Sequence, residues 1–341
     1  MRQLKRYEKL IFFINSLMAF ALLLSYILPY MPPQRFAFLS VLSLAVPFLI
    51  LINILFFIYW LLKVKKQLLL SFFVLIIGLN YVFSLYKFSS SKNIDHADNI
   101  SVMNYNVRLF NLFDWIDDPN TKANISNFIS EKNPDILCMQ EYKRDDEIEL
   151  KGYHKVEKLT GHKFKSGQAI FTKFPIINSG SIEFPNTSNN AIFADVIIHS
   201  DTVRIYNLHF ESLRIDSNVE NLAKEKSENL IKRISTTFKM QQSQVEQFLE
   251  HKAKCPYKSV LLGDFNNTAY SYIYKEIKGD NLKDAFVQAG NGFGRTFNFK
   301  FFPVRIDFVL VDDTEFDING FKTFDVTYSD HYPIMAKLKL K

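Results

Sequence analysis

The sequence predicts an α/β protein: a four-layer sandwich of two packed mixed β-sheets flanked by helices, preceded by three transmembrane helices. Three observations carry this. Long uncharged runs fill residues 1–88. Beyond them, strand-like stretches are interleaved with stretches of helical period. Some of those strands also follow one another directly as hairpins, which a purely parallel sheet does not allow.

No charged residue occurs from Leu10 to Gln34, from Phe36 to Leu62 or from Gln67 to Tyr86. Each run reaches the ~20 residues a helix needs to cross a bilayer. Spans are expected at about 10–31, 36–62 and 67–86, punctuated by Pro32, Pro33, Lys63, Lys65 and Lys66. The first apolar core is too long for a signal peptide, and no small-residue cleavage site follows it. Arg2, Lys5, Arg6 and Lys9 precede the first span, and three lysines separate the second from the third. The positive-inside bias therefore makes the N-terminus cytoplasmic and everything after Tyr86 extracytoplasmic, on the periplasmic or extracellular side of a bacterial cytoplasmic membrane. The lipid bilayer is the partner these helices imply, and no protein partner can be inferred.

The net charge of +6 does not mark a nucleic-acid surface on the remaining chain. Residues 1–98 hold 10 Lys/Arg and 3 Asp/Glu, leaving 31 and 32 for the rest. A local basic patch from Lys163, Lys165 and Lys173 is compatible with that balance. Two cysteines cannot form a disulfide framework.

Residues 89–98 are polar and read as a tether to a domain over 99–341. There, "ISVMNYNVRLF" is a strand, "KANISNFISEK" a helix and "PDILCMQEY" a strand. "GQAIFTKFPI" is a strand stopped by proline. "AIFADVIIHSDTVRIYNLHF" is a hairpin turning at His199–Thr202. Residues 219–253, with Leu222, Leu230, Ile234, Phe238, Val245 and Phe248 near helical spacing, form one or two amphipathic helices. "SVLLGDF", "RIDFVLV" and "HYPIMAKLKL" are later strands. Gly290, Gly292 and Gly294 in "AGNGFGR" lack the spacing of a dinucleotide loop and read as a flexible loop.

Polar residues recur where the strands end: Asn106, Glu141, His209, Asp264 with Asn266, Asp307, and Asp330 with His331. If the strands lie side by side, these residues meet at one mouth of the sandwich. Carboxylates, amides and histidines without cysteine ligands suit a hard divalent cation and a phosphate.

The ordered set "NYNVR", "QE", "NLH", "GDFN", "RIDFV" and "SDH" resembles the endonuclease/exonuclease/phosphatase superfamily, the DNase I-like fold, over about residues 99–341. The resemblance implies a Mg²⁺-dependent phosphoesterase, with Mn²⁺ as a substitute. By motif, Glu141 is the main metal ligand, Asn106 lies beside it and Asp330 is a further candidate ligand. Asp264 positions or deprotonates the attacking water, and Asn266 holds that water or a phosphate oxygen. His331 binds the scissile phosphate and is oriented by Asp307. His209 stabilises the phosphate or protonates the leaving oxygen. Arg214 and Arg295 are candidates for binding an anionic substrate group. The substrate is a phosphoester of nucleic acid, lipid headgroup or small molecule. The competing readings are an inositol-phosphate-type phosphatase and a non-catalytic binding module on the same fold.

Overall fold

The structure, a computed structural model, describes residues 4–88, 92–145, 150–161, 165–215, 226–299 and 302–341. Arg2, Ser89 to Ser91 of the tether, Lys163, and residues 219–225 at the start of the amphipathic segment lie outside the described residues.

The N-terminal apolar segment, expected as a membrane anchor, begins with α1 (Arg6–Ser25), α2 (Pro33–Leu42) and α3 (Val46–Leu62). Two continuous apolar stretches, Arg6–Tyr30 and Pro33–Leu62, are long enough to span a membrane. The third expected span is instead a bent pair, α4 (Leu68–Ile77) and α5 (Leu79–Leu85), which meet at 82°. The bend falls at Gly78, where a Cβ would lie 2.0 Å from the Tyr26 ring. The bundle is held by buried polar contacts. Asn15 Nδ2 donates to Ser71 Oγ at 2.7 Å, and Trp60 Nε1 donates to Asn15 Oδ1 at 3.0 Å. Such hydrogen bonds between otherwise apolar helices fix how the helices pack.

Lys65 Nζ lies 3.9 Å from Glu8 Oε2, so the α3–α4 turn and the start of α1 share one end of the bundle. The other end packs on the remainder of the chain. Gln34 donates its backbone N–H to Gln242 Oε1 at 2.9 Å, and Tyr270 donates its hydroxyl to the Tyr81 carbonyl at 3.2 Å.

The chain leaves the anchor as β1 (Tyr86–Lys87) and enters the sandwich at β2 (Asn99–Asn106). Then come α6 (Thr121–Lys132), β3 (Ile136–Lys143), β4 (His154–Thr160), β5 (Ser166–Thr172), β6 (Ile176–Glu183), β7 (Asn190–Ile198) and β8 (Asp201–His209). The amphipathic segment is one helix, α7 (Ser227–Ala253), followed by β9 (Lys258–Asp264), α8 (Tyr272–Lys278), β10 (Leu282–Asp284) and α9 (Ala285–Ala289). Short strands β11 (Gly292–Phe293), β12 (Phe297–Phe299) and β13 (Phe302–Val304) precede β14 (Asp307–Asp312), β15 (Phe316–Thr323) and β16 (Ile334–Leu340). The expected glycine-rich flexible loop is therefore partly ordered: β11 pairs with β1 at the exit from the anchor.

Two six-stranded sheets form the sandwich, in the orders β10-β14-β9-β8-β7-β6 and β15-β16-β2-β3-β5-β4. Each contains one parallel pair, β8/β9 and β2/β3, among antiparallel neighbours. Apolar residues from the facing sides, among them Val102, Ile136, Ile192 and Val260, fill the space between the sheets. The outer face of the first sheet is covered by α7 and α8 through Val245, Phe248 and Ile273. That of the second is covered by α6 through Ile125 and Phe128. Four layers result, as the interleaved pattern requires. Both cysteines are free, Cys138 in the core and Cys255 partly exposed.

Candidate active site

The site lies where the two parallel strand pairs end. Asn106 closes β2, and Glu141 lies near the end of its partner β3. His209 and Asp264 close β8 and β9 and face each other in register. Backbone irregularities turn two of these side chains toward the mouth. β3 bulges between Met139 and Tyr142, and Glu141 adopts φ +47°. Such a bulge re-aims a side chain out of the pleat. Asn266 adopts φ +49°, and its N–H donates to Asp264 Oδ1 at 2.8 Å.

Asp264 is the hub. Asn106 Nδ2 donates to its Oδ2 at 3.0 Å and to Glu141 Oε1 at 3.2 Å, bridging the two carboxylates. His331 Nε2 lies 3.6 Å and His209 Nε2 3.8 Å from Asp264 Oδ2. The other ring nitrogen of His331, Nδ1, donates to Asp307 Oδ2 at 2.9 Å. Asp307, itself in register with Asp264, thus fixes the imidazole.

Burial and mutual charge set the protonation states. Burial, reinforced by Asp307, holds the Asp264 carboxyl well above the usual range, against the pull of His331. Burial disfavours a charged His331, but Asp307 and Asp264 outweigh it and raise its pKa, so the ring is an imidazolium at neutral pH. Burial, then the neighbouring His331 charge, depresses His209 to about 3, leaving it neutral. Its buried Nε2 has no hydrogen-bond partner. Burial and the nearby Asp330 raise Glu141.

One group of acidic and histidine side chains among the described residues brings its ligand atoms within 4.8 Å of one another: Asp264, Asp307 and His331. It fits a hydrogen-bonded dyad better than a metal cage. Both oxygens of Asp307 are engaged, one by His331 Nδ1 and the other by Asn104 Nδ2 at 3.1 Å. Glu141 fits a cation better. It lines the cleft with Asp330, accepts a hydrogen bond from Asn106, and has no basic side chain within ion-pair distance among the described residues. Two half-buried carboxylates side by side in a cleft favour a positive partner between them, and oxygen donors suit Mg²⁺ or Mn²⁺. Asn106 turns its Oδ1 to the Arg108 N–H at 3.1 Å, while Asp330 pairs with Arg108 Nε at 3.2 Å.

The two arginines expected to bind substrate are separated. Arg214 lines the cleft with Glu141 and Asn266, and its exposed guanidinium lies 3.7 Å from Glu211 Oε1. Arg295 does not line the cleft. It stacks on Tyr332, 4.1 Å from the ring centroid, in a different cavity that also includes Lys92 and Lys322. Hairpin β12–β13 supplies residues to both cavities and carries the chain between them.

Several supporting residues were not singled out from the sequence. Gln140 Nε2 donates to Asn104 Oδ1 at 2.7 Å and to Asn207 Oδ1 at 2.5 Å, so a polar ladder joins the sheets beneath the cluster. The signal was available. Asn104 and Asn207 each precede a motif residue, Asn106 and His209, by two positions, and so share its face of the strand. Gln241 of α7 donates to the Asn266 carbonyl at 3.2 Å and accepts from Asn267 at 2.7 Å. No sequence periodicity marks it, because a glutamine on the buried face of an amphipathic helix looks like a break in the pattern.

A polar cluster of carboxylates, amides and an Asp–His dyad at the mouth of a two-sheet sandwich defines a class of phosphoester hydrolase. The Endonuclease/Exonuclease/phosphatase family model matches residues 103–331, and the chain belongs to that family. A domain of unknown function matches residues 8–85. No curated protein matches the chain. The fold is similar to the catalytic domain of human Nocturnin with bound sulfate, at 16% identity over 72% of this chain and 94% of that one, TM-score 0.53. It is also similar to D. rerio TDP2 humanised by 14 mutations, at 15% identity over 71% and 100%, TM-score 0.53. D. rerio TDP2 complexed with a single-strand DNA product gives 15% identity over 71% and 99%, TM-score 0.52.

Proposed function

We infer that this protein is a membrane-anchored, divalent-metal-dependent phosphoesterase that hydrolyses a phosphodiester or phosphomonoester by in-line attack of water. The observation that carries this reading is the contact set around Asp264: Asn106, His209, Asn266 and His331 within 4 Å, with Asp307 bound to the far side of His331 and Glu141 bridged in through Asn106.

Asp264, with its elevated pKa, is matched to take a proton from water near neutral pH. Asn266 holds the loop that presents this water. As the water oxygen bonds to phosphorus, the ester P–O bond breaks and the leaving oxygen takes up a proton from solvent, while Asp264 later returns the proton it took to solvent. His331, charged and locked by Asp307, stabilises the negative charge that builds on the phosphate oxygens. His209, neutral and with an unpartnered Nε2, suits a hydrogen bond to phosphate better than protonation of the leaving oxygen. Glu141 would hold the cation, with Asn106 orienting it and Asp330 nearby. Bound Mg²⁺ or Mn²⁺ supplies Lewis-acid neutralisation of the phosphate charge.

The domains are assigned as an anchor over 1–88, a tether over 89–98 and a catalytic domain over 99–341. The shared end of the α1 start and the α3–α4 turn carries the basic residues, which supports a cytoplasmic N-terminus and an extracytoplasmic catalytic domain. The test is turnover of a generic phosphodiester reporter by the full chain in nanodiscs. Hydrolysis should require Mg²⁺ or Mn²⁺ and stop with EDTA. Undiminished turnover in EDTA would overturn the mechanism.

A further inference from the structure

The catalytic cleft does not end at the catalytic domain. It is a cavity of about 400 Å³ with two chemically distinct ends. One end carries Glu141, Asn266, Asp330 and His331. The other is built by the anchor, from Leu44, Pro47, Phe48 and Leu85. Leu230 and Ile234 of α7 form one side wall, and Phe297, Phe299 and Phe302 of hairpin β12–β13 form another. Phe302 stacks on Phe48 with ring centroids 3.9 Å apart, so the hairpin and the membrane helix meet across the cavity. Val41 and Leu44 pack on the Leu213–Ile234–Phe238 cluster, which fixes the anchor against α7.

This placement gives the cleft an address as well as a lining. The cavity lies where α2 passes into α3, and Phe38 and Leu42 on the same stretch are left exposed, as a bilayer-contacting surface requires. A water-soluble polar alcohol would leave the apolar walls wet, whereas a hydrocarbon chain would dry them. We propose that the substrate is an amphiphile, a lipid phosphoester whose phosphate meets the Glu141–His331 end while its hydrocarbon chain lies between the anchor and α7. The anchor is then one wall of the binding site as well as the attachment to the membrane. The proposal rests on the phosphoesterase reading for the identity of the polar end.

Binding of methyl, butyl and octyl phosphate to the full chain in nanodiscs, in Mg²⁺ buffer and corrected for empty nanodiscs, tests it by calorimetry. Burying several methylenes should make octyl phosphate bind about tenfold or more tightly than methyl phosphate. In Leu230→Gln and Leu44→Gln this ratio should fall to about threefold or less. A wild-type ratio near one would overturn the proposal, as would an unchanged ratio in both variants. So would displacement of methyl phosphate by a single-stranded oligonucleotide with no advantage for octyl phosphate. The wild-type series stands alone if a variant fails to fold. Reporter hydrolysis measured in parallel separates the two readings: its absence removes the phosphoesterase assignment, whereas a flat chain-length series removes only the lipid assignment.

Discussion

Asp264 ends an apolar strand, and a buried carboxylate there is costly unless it is partnered. It accepts hydrogen bonds from one backbone and one side-chain amide, faces the charged His331 ring at 3.6 Å, and has the neutral His209 ring nearby. Replacing Glu141 by Ala, Asp264 by Asn or His331 by Ala should lower kcat by more than about 100-fold, roughly 3 kcal/mol of barrier, in the Mg²⁺ reporter assay. A near-normal rate for His331→Ala would remove that residue from its role. The same charges predict opposite pH dependences of stability without metal. His331 has a raised folded pKa, so its contribution is full below the unfolded value of about 6.5 and is lost as pH rises above it. His209 is depressed to about 3, so its contribution is present above about 6.5 and is lost as pH falls toward 3. Thermal melts in EDTA should therefore lose stability on both sides. His209→Gln should flatten the acid side by about 1 kcal/mol or more, and an unchanged acid limb would refute the assignment.

At the scale of elements, the site depends on how closely β8 and β9 approach. A Cβ on Gly263 would lie 2.1 Å from the Leu208 carbonyl oxygen, in the backbone of the neighbouring strand. Gly263→Ala must push the pair apart, and with it the His209–Asp264 register. The expected cost is about 2 kcal/mol or more of stability, read by chemical denaturation, with reporter turnover falling in parallel. Gln241→Leu should act more narrowly. It removes the support under Asn266 and Asn267 while keeping an α7 side chain of similar size, so kcat should drop about tenfold with a smaller loss of stability. Equal kcat in this variant would show that the Asn266 loop holds itself.

At the scale of the whole molecule, the anchor and sandwich meet through hydrogen bonds from α2 to α7 and from Tyr270 to α5, and through the β1–β11 pairing. A tether alone would make none of these contacts. The 82° bend at Gly78 brings α5 under the sandwich, and the Tyr26 ring occupies the space a side chain at that position would need. Orientation is checked with a reporter fused after Lys341. Activity on the extracytoplasmic side is expected, and a cytoplasmic signal would invert the topology.

Local rules made the elements legible. Uncharged runs marked the apolar helices, and short, largely apolar runs marked β2, β3, β5, β7, β8, β9, β14 and β16, because each reports burial along one strand or helix. The ordered motifs also made the cluster from Asn106 to His331 legible, because their residue types suit phosphate chemistry. The edge strands β4 and β6 and the short strands of the β12–β13 hairpin were not read, since half-exposed or brief strands carry little period. The bend at Gly78 was not legible either, because it answers to Tyr26, 52 positions earlier. Arg295 and Arg214 looked equivalent in the sequence and were separated only by the fold, which leaves Arg214 beside Glu211 at the cleft and stacks Arg295 on Tyr332 in another cavity. The sequence by itself determined which polar residues stand at the strand ends and so which residue types the mouth of the sandwich can offer. Only the tertiary structure decided that the N-terminal apolar helices line the cleft, because packing between segments far apart in the chain leaves no mark in either one alone.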